Sequence, residues 1–265
     1  MVDLSGYDAE FLGTPVPLPS LAPPTVSTRL DYPHFSVHLV TQRRLAGVTG
    51  VNIDGAALVN VPRQGSWHLD LRVPASEQAG GEIYTRNDLD RGHLVRRRDP
   101  GWGADAMAAT EATFAYTNAA PQAAAFNQSP QLWLGLEDHV LHHAEAQDQR
   151  LSVFTAPVLA SDDPPYRGIR IPRRFWKIAA WATAERQLAA TAFVLDQTEL
   201  IADTGDQRSV APLPPFSTFQ VPVADVAALA RVELGPLVAA DVLSTGSARD
   251  DRWRRLRDLD QIRLG

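Results

Sequence analysis

The chain of 265 residues has no cysteine, a single lysine at Lys177 and no apolar run long enough to cross a bilayer as a helix. Without cysteine, disulfides, thiolate metal sites and cysteine nucleophiles are excluded. The compartment stays open, because exported proteins can also lack cysteine. The N-terminus, "MVDLSGYDAEFLG", has neither the basic start nor the continuous apolar stretch of a secretory signal. The expected location is therefore cytoplasmic, or secreted by a route the chain does not encode, with no membrane partner. Also missing are a glycine-rich phosphate loop, a nucleophile elbow and a kinase signature, which removes the commonest routes to nucleotide binding and serine hydrolysis.

What is present is ordinary for a globular protein: 45% hydrophobic and 21% charged residues, in a length that fits one large domain or two small ones. The net charge of -6 argues against a broad electrostatic affinity for nucleic acid. Its distribution matters more than its sum. With one lysine among 25 basic residues, the positive charge is almost all guanidinium, whose planar fork suits phosphate oxygens. It gathers at Arg91, Arg96, Arg97 and Arg98, and again at Arg167, Arg170, Arg173, Arg174 and Lys177. Two local basic patches on an acidic protein are compatible with transient contact with a polyanion.

Five prolines at positions 15, 17, 19, 23 and 24 mark residues 1–30 as an extended arm. Strands are expected at "HFSVHLV" (34–40), "GVTGVNIDG" (47–55), "WHLDLRV" (67–73), "LSVFTAPVL" (151–159) and "ATAFVLDQT" (190–198). Ser129 and Pro130 read as the cap and first position of a helix through "QLWLGLEDHVLHHAEAQ", and "VADVAALARVEL" (223–234) reads as another. No repeat or linker divides these elements. The expectation is an arm (1–30), one mixed domain (31–245) and a peripheral C-terminal helix or tail (246–265).

Two segments carry candidate chemistry. "YTRNDLDRGHLVRRRDP" (84–100) sets His93 beside Gly92, Arg91 and an arginine run. Imidazole, with an ordinary pKa near ~6.5, can take a proton from water, and the arginines can grip an anion; an Asp/Arg salt-bridged surface loop is the plainer reading. "YTNAAPQAAAFNQSPQLWLGLE" (116–137) places the amides Asn118, Gln122, Asn127 and Gln128 in an apolar context. Such amides form either a structural network or a ligand-facing one, and an amide oxygen suits Mg²⁺. His139, His142 and His143 have helical spacing but lack the zincin glutamate, so an exposed helix face is expected there.

Taken together, "DRGHLVRR" (90–97), "TNAAPQAAAFNQ" (117–128), "LWLGLE" (132–137), "VNIDG" (51–55), "FTAPV" (154–158) and "IPRRFWKI" (171–178) resemble the DNA/RNA non-specific endonuclease family, the ββα-metal nucleases. The resemblance covers roughly residues 30 to 240 and rests on the order of six segments. It implies an α+β fold with a central antiparallel β-sheet, flanking helices and a metal-site helix.

It also implies cleavage of phosphodiester bonds in DNA and RNA without regard to sequence or sugar, giving 5′-phosphate products. His93 would be the general base and Asn127 the ligand of one Mg²⁺, with Mn²⁺ as a substitute. Asn118 would set His93 or the metal's waters, and Glu137 would hold one of those waters. Arg91 would contact the phosphate, Asp90 would support the base, and Arg96, Arg97 and Arg98 would bind the substrate backbone. The partners implied are DNA and RNA, with an inhibitor protein admitted and both monomers and homodimers represented. The alternative is a catalytically lapsed relative that binds nucleic acid or protein. Two departures stand out: Ser129-Pro130 lengthens the interval from Asn127 to Trp133, and Ala156 takes the place of a glycine.

Overall fold

The structure is a computed structural model that describes residues 4–63, 65–124, 148–201, 217–243, 253–256 and 261–263. After the short strand β1 (Ser20–Leu21), the chain enters a sheet through β2 (Thr28–Tyr32), β3 (Phe35–Val40) and β4 (Leu45–Asp54). A hairpin of β5 (Leu89–His93) and β6 (Ala119–Ala123) follows, with helix α1 (Ala106–Ala112) between its strands. β7 (Arg150–Pro157) returns to the sheet, β8 (Pro165–Tyr166) and β9 (Ile169–Arg170) form a small ribbon, and β10 (Arg174–Ala182) and β11 (Leu188–Asp196) run side by side. The remaining described elements are α2 (Thr198–Ile201), β12 (Ser217–Val221), α3 (Val223–Ala230), β13 (Val232–Glu233) and β14 (Arg254–Leu256). Eight strands make one antiparallel sheet in the order β14-β12-β11-β10-β7-β4-β3-β2. This is an α+β architecture with a large central sheet and few helices.

The middle strands are covered on both faces, which is why β4 is buried along its whole length and β11 reads as a nearly unbroken apolar run. One face presents Phe35, Val37, Val51, Val153, Phe175 and Phe193 to Leu94, Val95 and Ala120 of the hairpin layer. The other presents Phe154, Trp176, Ile178 and Val194 to Val223 and Val226 of α3 and to Tyr7, Phe11, Leu12 and Val16 of the N-terminal segment. Each fully buried large apolar side chain contributes about 1.5–3 kcal/mol. Ala156 lies on the face covered by α3 and the N-terminal segment, away from the hairpin. Polar positions on that face stitch the N-terminal segment down: Tyr7 N donates to Ser36 Oγ (2.8 Å) and Asp8 N to Asn52 Oδ1 (2.7 Å).

Three local expectations are corrected. "WHLDLRV" alternates like a strand, but only His68 makes a bridge, to Ala115. Asp70 accepts from the backbone of Arg72 (2.9 Å) and so closes its own turn, and Gln78 Oε1 takes the Asp70 N–H that a ladder would have used (2.8 Å). The helix expected over 223–234 ends at Ala230, where Arg231 adopts a left-handed φ of 53° and the chain continues as β13 against β1. In the C-terminal tail, Arg254–Leu256 form the edge strand β14 against β12. The helix expected from Pro130 lies outside the described residues.

Candidate active site

β5 and β6 pair with Asp90 opposite Gln122, Gly92 opposite Ala120 and His93 opposite Ala119. Alternation along β5 sends Leu89, Arg91 and His93 to one side and Asp90 and Gly92 to the other. Gly92 is dictated by close packing: a Cβ there would collide with the side-chain amide of Gln122. Just beyond β5, fully buried Asn118 acts as a clamp. Its Oδ1 accepts from Val95 N (2.9 Å), and its Nδ2 donates to Val95 O (2.9 Å) and Thr113 O (3.0 Å). Its own carbonyl accepts from Leu94 N (3.0 Å). The amide is spent on backbone, and its effect is to hold the two residues after His93.

The His93 ring sits between Trp67 (centroids 4.5 Å apart, 45°) and Phe114 (5.2 Å, 82°). Its Nε2 is buried with no hydrogen-bond partner. Burial first, and then the charges of Arg63, Arg96 and Arg97, push the imidazole down to a pKa of about 3, so it is neutral at physiological pH. The guanidinium of Arg91 lies over the rings of Tyr84 (5.2 Å) and Tyr116 (6.0 Å), with its Nε buried and unpartnered. Trp67, Tyr116 and Tyr84 stack in sequence, so one aromatic layer supports both Arg91 and His93.

The arginine run divides its work. Arg97 Nη1 donates to Val61 O (2.8 Å), and its proton affinity is lowered by desolvation and by Arg63, Arg98 and Arg96 around it. Asp99 turns inward, where burial raises its pKa against the pull of Arg96, Lys177 and Arg98. Among the described residues, none of Arg63, Arg91, Arg97 and Arg98 forms an ion pair with a carboxylate. The second basic cluster makes a different set of contacts. Arg167 donates to the carbonyls of Glu82 and Thr85 (2.7 Å each), Arg170 to that of Asp163 (2.7 Å) and Arg173 to that of Asp162. Lys177 is buried in the sheet, its Nζ donating to Thr155 Oγ1 (2.9 Å). Those cations brace loops and strands.

The structure thus gathers Arg91, His93, Asn118, Arg96 and Arg97 around one hairpin, with Asp90 on its opposite side and Arg98 just beyond. Asn127 and Glu137 lie outside the described residues. Among the described residues no three His, Cys, Asp or Glu side chains converge as a ligand set. Buried Gln122 has neither amide atom hydrogen-bonded, but it packs on the Gly92 side of the hairpin, opposite His93, so the two do not form one ligand set. A hard cation held mostly through water needs only one or two protein oxygens. Sequence reasoning missed Arg63, Trp67 and Phe114. The alternating pattern around Trp67 disguised it as a strand residue, and nothing near Arg63 or Phe114 in the chain marks them.

Comparison with known proteins bears on the fold and the family. The chain is 37% identical over 271 residues to the uncharacterized protein y4fB of Sinorhizobium fredii (strain NBRC 101917 / NGR234). The match covers 92% of this chain but spans only 40% of that protein's length. Among solved structures, the chain superposes on one from the crystal structure of the EndoG/EndoGI complex, which concerns the mechanism of EndoG inhibition, with a TM-score of 0.61 and 17% identity. That likeness covers 79% of this chain and 86% of the other, and it establishes the shared fold. The description "DNA/RNA non-specific endonuclease" matches over residues 19–241, and the chain belongs to that family.

Proposed function

We propose that the protein is a metal-dependent endonuclease that hydrolyses phosphodiester bonds in DNA and RNA without regard to sequence or sugar and leaves 5′-phosphates. The observation that carries this reading is a desolvated, neutral His93 enclosed by Trp67 and Phe114, with the positive charges of Arg63, Arg96 and Arg97 close by. A histidine kept neutral is in the form a base needs, and a phosphate bound by the arginines would offset the cations that lower its proton affinity. Because Nε2 is enclosed, Nδ1 is the nitrogen we assign to the attacking water. Arg91, held on Tyr84 and Tyr116, would bind a non-bridging phosphate oxygen and offset the charge that builds on it. Asn118 acts through the backbone of Leu94 and Val95, fixing the turn that follows His93. Arg63, Arg96, Arg97 and Arg98 would track neighbouring phosphates, contacts that carry no sequence information.

Asn127 would hold the cation, Mg²⁺ or Mn²⁺, with Glu137 hydrogen-bonding a water beside it. Such an ion, when bound, supplies positive charge to the scissile phosphate and its departing 3′ oxygen. The relationship to the EndoG/EndoGI complex makes a proteinaceous inhibitor of this chain a reasonable object of search.

The test is cleavage of supercoiled plasmid and of total RNA by the purified protein with Mg²⁺, with Mn²⁺, and with chelator. Cleavage of both substrates that stops on chelation, and that His93→Ala abolishes without unfolding, is the expected result. Binding of nucleic acid without cleavage by the unmodified protein would replace this reading with that of a lapsed, binding-only relative.

A further inference from the structure

No hydrogen bond to the His93 side chain is formed among the described residues, and its Nε2 is buried without a partner. Something other than hydrogen bonding must therefore set the angle of the ring. Two aromatic rings touch it: Trp67 at 4.5 Å, tilted by 45°, and Phe114 at 5.2 Å, nearly perpendicular at 82°. These two also pack edge to face on each other, with centroids 5.5 Å apart. Phe114 belongs to the turn that leads into β6, whereas Trp67 comes from a separate, largely exposed strap whose described residues are 59–63 and 65–67.

The strap is fastened on both sides of Trp67. Upstream, Arg97 Nη1 donates to Val61 O, tying it to the loop that follows His93. Gly65, at φ 129°, lets the backbone close on Phe114; a Cβ there would stand 2.6 Å from the phenyl ring. Downstream, His68 N donates to Phe114 O (3.1 Å) and Tyr116 N to His68 O (2.9 Å). A residue used only to fill the core would not need a glycine-dependent strap pinned to the catalytic loop.

We propose that Trp67 is the positioning residue for His93: with Phe114 it forms a two-sided aromatic wall that fixes the imidazole plane and shields one face from solvent. The proposal rests on the reading of His93 as the general base. Trp67 also stacks on Tyr116 (5.7 Å, 29°), which stacks on Tyr84 (6.1 Å, 12°), so the same layer that angles His93 carries Arg91. In this arrangement the ring faces matter and the Tyr84 hydroxyl, buried without a partner, does not.

The experiment uses the full chain and the variants Trp67→Ala, Trp67→Leu and Trp67→Phe. Steady-state plasmid cleavage with Mg²⁺ gives kcat and KM. In parallel and without metal, diethyl pyrocarbonate labelling followed by peptide mass spectrometry reads how exposed the His93 ring is, with His38 as an internal reference. Trp67→Ala is expected to lower kcat about 100-fold with KM nearly unchanged, the effect of a misplaced base. It should also label His93 several times faster, with His38 unaltered. Trp67→Phe should retain most of kcat and the slow labelling, and Trp67→Leu serves if the alanine variant does not fold. Unchanged His93 labelling in the alanine or leucine variant overturns the proposal, as does an equal loss of kcat in the phenylalanine and alanine variants. If the unmodified protein cleaves nothing, the nuclease reading fails by itself, and the labelling still decides whether Trp67 walls the imidazole.

Discussion

Replacing Asn118 by alanine should be among the most damaging single changes in the hairpin layer. The side chain is fully buried and makes three hydrogen bonds to backbone, at 2.9, 2.9 and 3.0 Å. Truncation leaves Val95 N–H, Val95 C=O and Thr113 C=O without that partner in a closed environment. An orphaned buried polar group costs about 1–3 kcal/mol, so after some relaxation the loss should be about 3–5 kcal/mol. For a chain of this size that corresponds to a fall in melting temperature of about 10 °C. Asn118→Asp should do no better despite its matched shape, because it points a carboxylate oxygen at two carbonyls. The assay is urea unfolding followed by tryptophan fluorescence and circular dichroism, with plasmid cleavage measured below the transition. Cleavage should fall as well, since the clamp holds Leu94 and Val95 directly after His93. A stability loss under about 1 kcal/mol would refute the clamp, since it would mean the three bonds contribute no more than an ordinary surface contact.

The histidine makes stability depend on pH in a defined direction. His93 titrates near 3 when folded against about 6.5 when unfolded, so between those values the unfolded chain binds a proton that the folded chain refuses. Its contribution is whole above pH ~6.5 and is lost as pH falls, by at most ~1.4 kcal/mol per unit. Urea midpoints at pH 7, 6 and 5 should show a slope that His93→Gln reduces, and identical slopes would contradict it. Gly92→Ala forces a methyl group into the amide of Gln122 and should cost about 1–3 kcal/mol, with much of the loss recovered in the Gly92→Ala/Gln122→Ala double variant. A double-mutant cycle of unfolding energies measures this, and strict additivity would argue against the contact. Gln122→Met removes a buried amide with no hydrogen bonds and should leave stability unchanged or raised in the same assay.

Much of the framework was legible because burial leaves a periodic or continuous apolar trace. β3, β4, β7 and β11 fall within a few residues of the strands expected at 34–40, 47–55, 151–159 and 190–198. Local chemistry also marked Arg91, Gly92 and His93 as one unit, since the three are consecutive in the chain. The failures have a common form. "WHLDLRV" alternates, but alternation does not reveal that the Asp70 carboxylate and the Gln78 amide will take the backbone groups a strand would need. Val223–Leu234 carries a helical pattern past the point where Arg231 turns left-handed and β1 offers a pairing partner from the other end of the chain.

Sequence by itself determined the family of the protein and the grouping of Arg91, Gly92 and His93, because an ordered set of motifs is a property of consecutive residues. Only the tertiary structure decided what those residues experience. It separated two arginine clusters that look alike in one dimension, setting Arg167, Arg170 and Arg173 to brace loop carbonyls and gathering Arg63, Arg96 and Arg97 near the ring of His93. It showed how Asn118, expected to set His93 or the metal's waters, is bound: its amide clamps the backbone of Val95 and Thr113. It also brought Trp67, from a strap distant along the chain, onto the ring of His93. The physical reason is that desolvation, charge and packing depend on distance through space, and a residue's neighbours in space are fixed only when the sheet and its covering layers close.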